Sequence, residues 1–164
     1  GDDRGRRQGL RQGVANMQIA NTIVIEASIQ NTWDFLLDAS KVAACVPGVE
    51  NVEKVDEDNY IVDILAKVGF IKAKFKVKLA IVERQPPTHM RSEGSGDEAG
   101  KMSSLKTSTE LDLKELGPSQ TELSATTEVN VFGKLGTFGH SVIKGKADKM
   151  WQEFVDDLKG QLEG

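Results

Sequence analysis

From Lys134 to the C-terminus, apolar residues recur at three- and four-residue spacing: Leu135, Phe138, Val142, Ile143, Ala147, Met150, Trp151, Phe154, Val155, Leu158 and Leu162. This is one face of a 3.6-residue period, and it predicts an amphipathic helix of roughly 40 Å at ~1.5 Å per residue. That is longer than a small domain needs, and it comes after a run of strand-like segments. A long terminal helix in that position predicts one sheet closing around one helix, with room for a pocket between them.

A chain of 164 residues favours one domain with one real core, assigned to 17–164. With 38% hydrophobic and 28% charged residues it belongs with neither disordered nor membrane-spanning chains. No apolar run approaches the ~20 residues of a transmembrane helix, and the polar N-terminus carries no secretory pattern. The single cysteine, Cys45, excludes an internal disulfide framework and suits a reducing compartment, so a cytoplasmic location is expected. Residues 1–16, with Arg4, Arg6, Arg7 and Arg11 and almost no apolar side chain, read as a leader or disordered tail. Without their four arginines and two aspartates the formal charge moves from −4 to −6, which argues against nucleic acid as a partner.

Met17 to Glu26 reads as a β-branched strand, and Ser28 as the N-cap of a short helix carrying Ile29, Trp33, Leu36 and Leu37. A second short helix is expected from Ser40 through Cys45, ended by Pro47-Gly48. Six strands follow, near 50–56, 60–68, 71–84, 89–95, 101–116 and 121–131, separated by turn residues. With no crossover helices between them, they predict an antiparallel meander. Lys72, Lys74, Lys76 and Lys78 alternate with Ala73, Phe75, Val77 and Leu79, the pattern of a strand with one solvated face. The opposite reading of that stripe is a weak anionic docking surface. Small inward residues (Ala66, Ala73, Thr107, Thr109, Ala125, Thr127) either let the helix sit close or leave space that water or a ligand must fill.

No catalytic grouping is visible. His89 and His140 are the only histidines, and nothing local joins a nucleophile to a base. Metal-ligand spacing is absent, and Gly145-Lys146 fails the phosphate-loop pattern because Ala147 stands where Ser or Thr belongs.

The order strand, two short helices, six strands, long helix is that of the helix-grip fold. Four segments carry a more specific resemblance: Trp33 with Cys45-Val46-Pro47-Gly48-Val49-Glu50; Gly69-Phe70-Ile71-Lys72-Ala73-Lys74-Phe75; Pro86-Pro87 leading to Gly94-Ser95-Gly96; and Val131-Phe132-Gly133-Lys134-Leu135-Gly136 with Gly139. Together they make the chain resemble the CoxG family of carbon monoxide dehydrogenase subunits, within the START and Bet v-like (SRPBCC) superfamily. Phe70 departs from the proline often found there. The resemblance implies an α+β domain with a seven-stranded curved antiparallel sheet around the C-terminal helix. It also implies a non-enzymatic role: a cavity for lipid-like molecules and help in recruiting a molybdenum-containing dehydrogenase to the membrane. An apolar quinone would fit such a role. The chain offers no molybdopterin, flavin or iron–sulfur site, so no cofactor is expected.

The expected cavity lies between sheet and helix, lined by Phe75, Val77, Leu111, Leu123, Val129, Leu135, Phe138, Val142, Met150 and Phe154. Its expected entrance is the glycine-loosened start of the helix, at Phe132, Gly133, Lys134, Gly136, Gly139 and His140. Lys144, Lys146 and Lys149 would meet anionic head groups there while Phe132, Leu135 and Phe138 touch the bilayer. Two alternatives remain open: a cyclase or hydrolase of the same fold, and an assembly factor with a filled core.

Overall fold

The computed structural model describes residues 15–163. The first strand, β1 (Ala15–Ile25), starts two residues earlier than expected, so Ala15 and Asn16 belong to the fold. The rest of the leader, residues 1–14, lies outside the described residues. Two short helices follow, α1 (Ile29–Leu37) and α2 (Ala39–Ala44). Ser28 caps α1 as its spacing predicts, its Oγ accepting from the Asn31 N–H at 3.1 Å. Asp38 caps α2 by accepting from the Ser40 and Lys41 N–H groups, which starts that helix at Ala39. Next come β2 (Val49–Lys54), β3 (Asn59–Val68), β4 (Ile71–Gln85), β5 (His89–Glu98), β6 (Ser103–Gly117) and β7 (Gln120–Gly133). A 3-10 turn (Leu135–Phe138) then leads into α3 (His140–Glu163).

The strands form one antiparallel sheet in the order β1-β7-β6-β5-β4-β3-β2. Sequential hairpins place each strand beside its predecessor, and β1 returns to close against β7. The pairing register gives every strand an inner and an outer face. Val62, Val77, Gly96, Leu105 and Val131 share one inner row, and Asp63, Lys76, Asp97 and Ser104 share an outer one. The lysine stripe is solvated: Lys76 pairs with Asp63 at 3.5 Å and Lys74 with Glu50 at 4.0 Å, each lysine side chain two-thirds exposed.

Two apolar clusters hold the sheet to the helices. One joins α1 and the C-terminal half of α3 to one end of the sheet, through Ile25, Trp33, Leu36, Met90, Leu113, Leu123 and Leu158. The other, at the opposite end, packs Val68, Ala73, Phe75 and Val131 against Leu135 and Ile143.

The terminal helix differs from its expected form. It begins at His140, six residues after Lys134, because Gly139 takes φ 83° and cannot continue a right-handed helix. Leu135 and Phe138 keep helical spacing, but they sit on a separate turn pinned to the sheet. The Leu135 N–H donates to Ser103 Oγ at 2.9 Å, and the Lys134 N–H to the Met102 carbonyl at 2.8 Å.

Candidate functional site

Between the two apolar clusters lies a cavity of about 340 Å³. Its floor is the inner face of the sheet: Val62 and Ile64 on β3, Val77, Leu79 and Ile81 on β4, Met90 and Ser92 on β5, Leu105, Thr107 and Leu111 on β6, and Leu123 on β7. Its roof is Leu36, Ala39, Val42, Ala43, Val46 and Val49 from the α1–α2–β2 segment, with Phe154 from α3. Sixteen of these eighteen side chains are apolar; Ser92 and Thr107 are the exceptions.

Side-chain size explains why space is left here. On β5, Gly94 and Gly96 face inward where neighbouring strands present Val77 and Leu79. A Cβ at Gly96 would stand 2.9 Å from the Lys76 carbonyl oxygen, so the strand closes on glycine and no side chain fills the floor. Inward residues over this patch (Val62, Ile64, Val77, Leu79) are only half-buried, whereas Ala73 and Phe75 on the same face nearer the hairpin are buried. They keep surface because they look into open volume.

Of the ten residues expected to line the cavity, the structure gathers Val77, Leu111, Leu123 and Phe154 around it. Phe75, Val129, Leu135 and Phe138 instead pack into the apolar cluster at the other end of the sheet. Met150 is half-buried outside the lining, and Val142 is 47% exposed on the solvent side of α3. The expected entrance residues (Phe132, Gly133, Lys134, Gly136, Gly139, His140, Lys144, Lys146) lie at that same end and contribute nothing to the lining. The physical reason is the break at Gly139, which lets the 3-10 turn pack into the apolar cluster at that end of the sheet. Gly133, expected to loosen the helix, is held tightly: φ is 82°, and a Cβ would meet the Met102 carbonyl oxygen.

The roof is the part that sequence reasoning misses. Ala39, Val42, Ala43 and Val46 stand at i, i+3, i+4 and i+7, an apolar stripe that runs along α2 and just past its end. That stripe is the signal that could have found it.

Titratable groups sit elsewhere. Burial pushes the Cys45 thiol above its usual range, with the charge of Asp157 adding to the effect, and the thiol faces the Lys41 carbonyl at 3.5 Å. His89, on the outer face, lies between Asp112 (Nδ1 to Oδ1, 2.8 Å) and Glu83 (Nε2 to Oε2, 3.1 Å). Hydrogen bonds first to Asp112 and then to Glu83 raise its pKa above the usual 6.5. This stabilisation is complete below about pH 6.5 and is lost as pH rises through the raised folded value. The melting temperature is therefore expected to fall between pH 6 and 8, and His89→Gln to flatten the fall; an equal slope in the variant contradicts the assignment. A larger hollow of about 780 Å³ crosses the outer face of β3–β7, but charged Lys78, Glu93, Lys106 and Glu128 line it and it opens to solvent.

Among the described residues no group of His, Cys, Asp and Glu is placed to hold a metal ion, and no helix is long and apolar enough to cross a membrane. Comparison with curated proteins gives no match. Among solved structures, a conserved protein of Geobacillus kaustophilus superposes with a TM-score of 0.82 at 20% identity, over 90% of this chain and 95% of that one. A START superfamily protein of Mycobacterium smegmatis gives 0.70 at 15% identity, over 89% and 97%. The Zhui aromatase/cyclase of Streptomyces sp. R1128 gives 0.65 at 15%, over 90% and 94%. These likenesses establish the START-like fold. The family model for the CoxG subunits of carbon monoxide dehydrogenase matches residues 22–163, nearly the whole described domain, and the chain belongs to that family.

Proposed function

We propose that this protein is a non-catalytic accessory module that holds one small apolar molecule, quinone-like or lipid-like, for a dehydrogenase of the carbon monoxide dehydrogenase type. The cavity carries this reading. At ~24 cal/mol per Å³, an enclosed empty void of its size forgoes on the order of 8 kcal/mol of packing, comparable with the ~5–15 kcal/mol net stability of a whole domain. This pocket opens partly to solvent, so that figure is a ceiling that water filling the space reduces; what favours an occupant is the apolar lining that would otherwise face water. The volume is at the small end of the ~300–1,000 Å³ range for ligand pockets, enough for a ring system or a short chain. Cyclase chemistry, as in the name of one structural neighbour, needs an acid or base at the substrate, and this lining offers two hydroxyls. Trp151 packs against the lining residue Phe154, with ring centroids 5.6 Å apart and ring planes tilted by 33°, and so reports on the cavity. A short-chain quinone is expected to quench tryptophan fluorescence saturably with 1:1 stoichiometry; linear quenching equal to that of free tryptophan contradicts the reading.

Recruitment to a membrane is the second part of the proposal, and the end of the sheet beside the 3-10 turn supports it. Phe70 is 95% exposed at the β3–β4 tip, Met102 57% at the neighbouring β5–β6 turn, and Val142 47% on the first turn of α3. Lys67 and Lys72 stand directly opposite each other behind Phe70, with Lys101 and Lys134 on the adjoining segments. Exposed apolar tips ringed by lysines suit an anionic bilayer, at ~1 kcal/mol per basic residue near the surface. Vesicles containing phosphatidylserine are expected to co-float the protein, and Phe70→Ser with Met102→Ser to weaken binding about tenfold, roughly the ~1.4 kcal/mol of a modest apolar contact. Equal flotation of the variant contradicts this orientation.

A further inference from the structure

The cavity holds two polar side chains, and they are neighbours. Thr107 stands opposite Gly94 in the β5–β6 register, two residues along β5 from Ser92. Both point to the inner face, with Cα atoms about 7–8 Å apart by ordinary diagonal spacing. Thr107 Oγ1 lies over Gly94, 2.6 Å from where a Cβ would be, so the missing side chain gives that hydroxyl its place. Neither hydroxyl has a hydrogen-bond partner among the described residues. The contrast is with Thr109 and Thr127, inward hydroxyls outside the lining, which satisfy each other at 3.1 Å. Among the described residues no fully enclosed side-chain polar atom lacks a partner, so neither hydroxyl is sealed off; both residues line the cavity, and although Thr107 also borders the outer hollow, its Oγ1 lies on the inward side of Gly94.

A hydroxyl among sixteen apolar side chains is costly unless something pairs with it. We infer that Ser92 and Thr107 are donors to an oxygen acceptor on the ligand, and that the preferred ligand is an apolar ring or chain bearing a carbonyl rather than a pure hydrocarbon. This rests on the cavity being a binding site. It adds a specificity: the glycine floor admits the molecule, and the hydroxyl pair fixes which end lies against β5 and β6.

Two planar isosteres separate the claims. 2-Acetylnaphthalene carries a carbonyl oxygen where 2-isopropenylnaphthalene carries a methylene group. Dissociation constants are measured for both by equilibrium dialysis against wild type and the Ser92→Ala/Thr107→Val variant. The ketone is expected to lose about tenfold in the variant, the value of one ordinary hydrogen bond. The hydrocarbon should change less than about twofold, since Thr→Val keeps the shape. Equal losses for both compounds, or none for the ketone, overturn the assignment of the hydroxyls while leaving the cavity reading intact. Failure of both to bind wild type overturns the cavity reading and this inference with it. A measurement on wild type alone guards against a variant that folds poorly. The infrared carbonyl stretch of the bound ketone should fall below its value in hexane, and an unshifted band overturns the inference.

Discussion

Replacing Val62 and Leu79 together by tryptophan is expected to abolish uptake of apolar ligands while the melting temperature holds or rises. Both residues line the cavity, on adjacent strands and diagonal to each other, and both are half-buried despite pointing inward. Two indoles at these positions occupy volume that a ligand would otherwise take. Displacing even ~120 Å² of buried ligand surface removes ~3 kcal/mol at ~25 cal/mol per Å², more than a hundredfold in Kd. In a packed core the same change would strain rotamers and cost ~1–3 kcal/mol. Here the added atoms gain contacts where none existed. Loss of binding together with kept stability is thus the signature of a cavity that serves a ligand. A destabilised double variant would mean the floor is already filled, and unimpaired binding would place the ligand elsewhere.

Gly133→Ala is expected to lower the melting temperature by about 4–12 °C, from ~2–3 kcal/mol at ~2–4 °C per kcal/mol for a domain of this size. The left-handed backbone at φ 82° costs a residue with a Cβ ~1–2 kcal/mol. The new Cβ also runs into the Met102 carbonyl, whose hydrogen bond from the Lys134 N–H must give way at ~1 kcal/mol. Gly139→Ala carries only a backbone cost, because nothing lies within 4 Å of its Cβ position; at φ 83° and ψ 170°, a region nearly confined to glycine, that cost is ~1–3 kcal/mol. Gly145→Ala, in the interior of α3 with the same open surroundings, should raise stability by up to ~1 kcal/mol. Thermal unfolding of the three variants checks that order. If Gly133→Ala proved as mild as Gly145→Ala, the start of the terminal segment would be the loose door that its glycines imply from sequence.

Much of the architecture is legible in the sequence because short-range rules decide it. The Ser28 cap, the alternation of lysines with Ala73, Phe75 and Val77, and the turn residues between strands fix elements whose simplest arrangement is a meander under a helix. The continuity of the terminal helix is not legible. Leu135 and Phe138 obey a 3.6-residue period on either side of Gly136, and periodicity carries no information on the sign of φ at Gly133 and Gly139. Nor does the sequence place the cavity correctly. Its position depends on Gly94 and Gly96 lying opposite Leu79 and Val77 across a strand pair, and on the α2 stripe closing over them, which are both matters of register. Large apolar residues of α3 are the conspicuous candidates, yet a pocket forms where side chains are small. Ser92, Gly94, Gly96 and Thr107 are visible in the sequence as small residues and not as neighbours.

Native mass spectrometry of the purified protein, with organic extraction and identification of anything released, tests the binding role most directly. The expected result is one apolar, carbonyl-bearing molecule per chain, lost in the Val62→Trp/Leu79→Trp variant. Protein that emerges empty, and stays empty after incubation with short-chain quinones and with fatty acids, would contradict it.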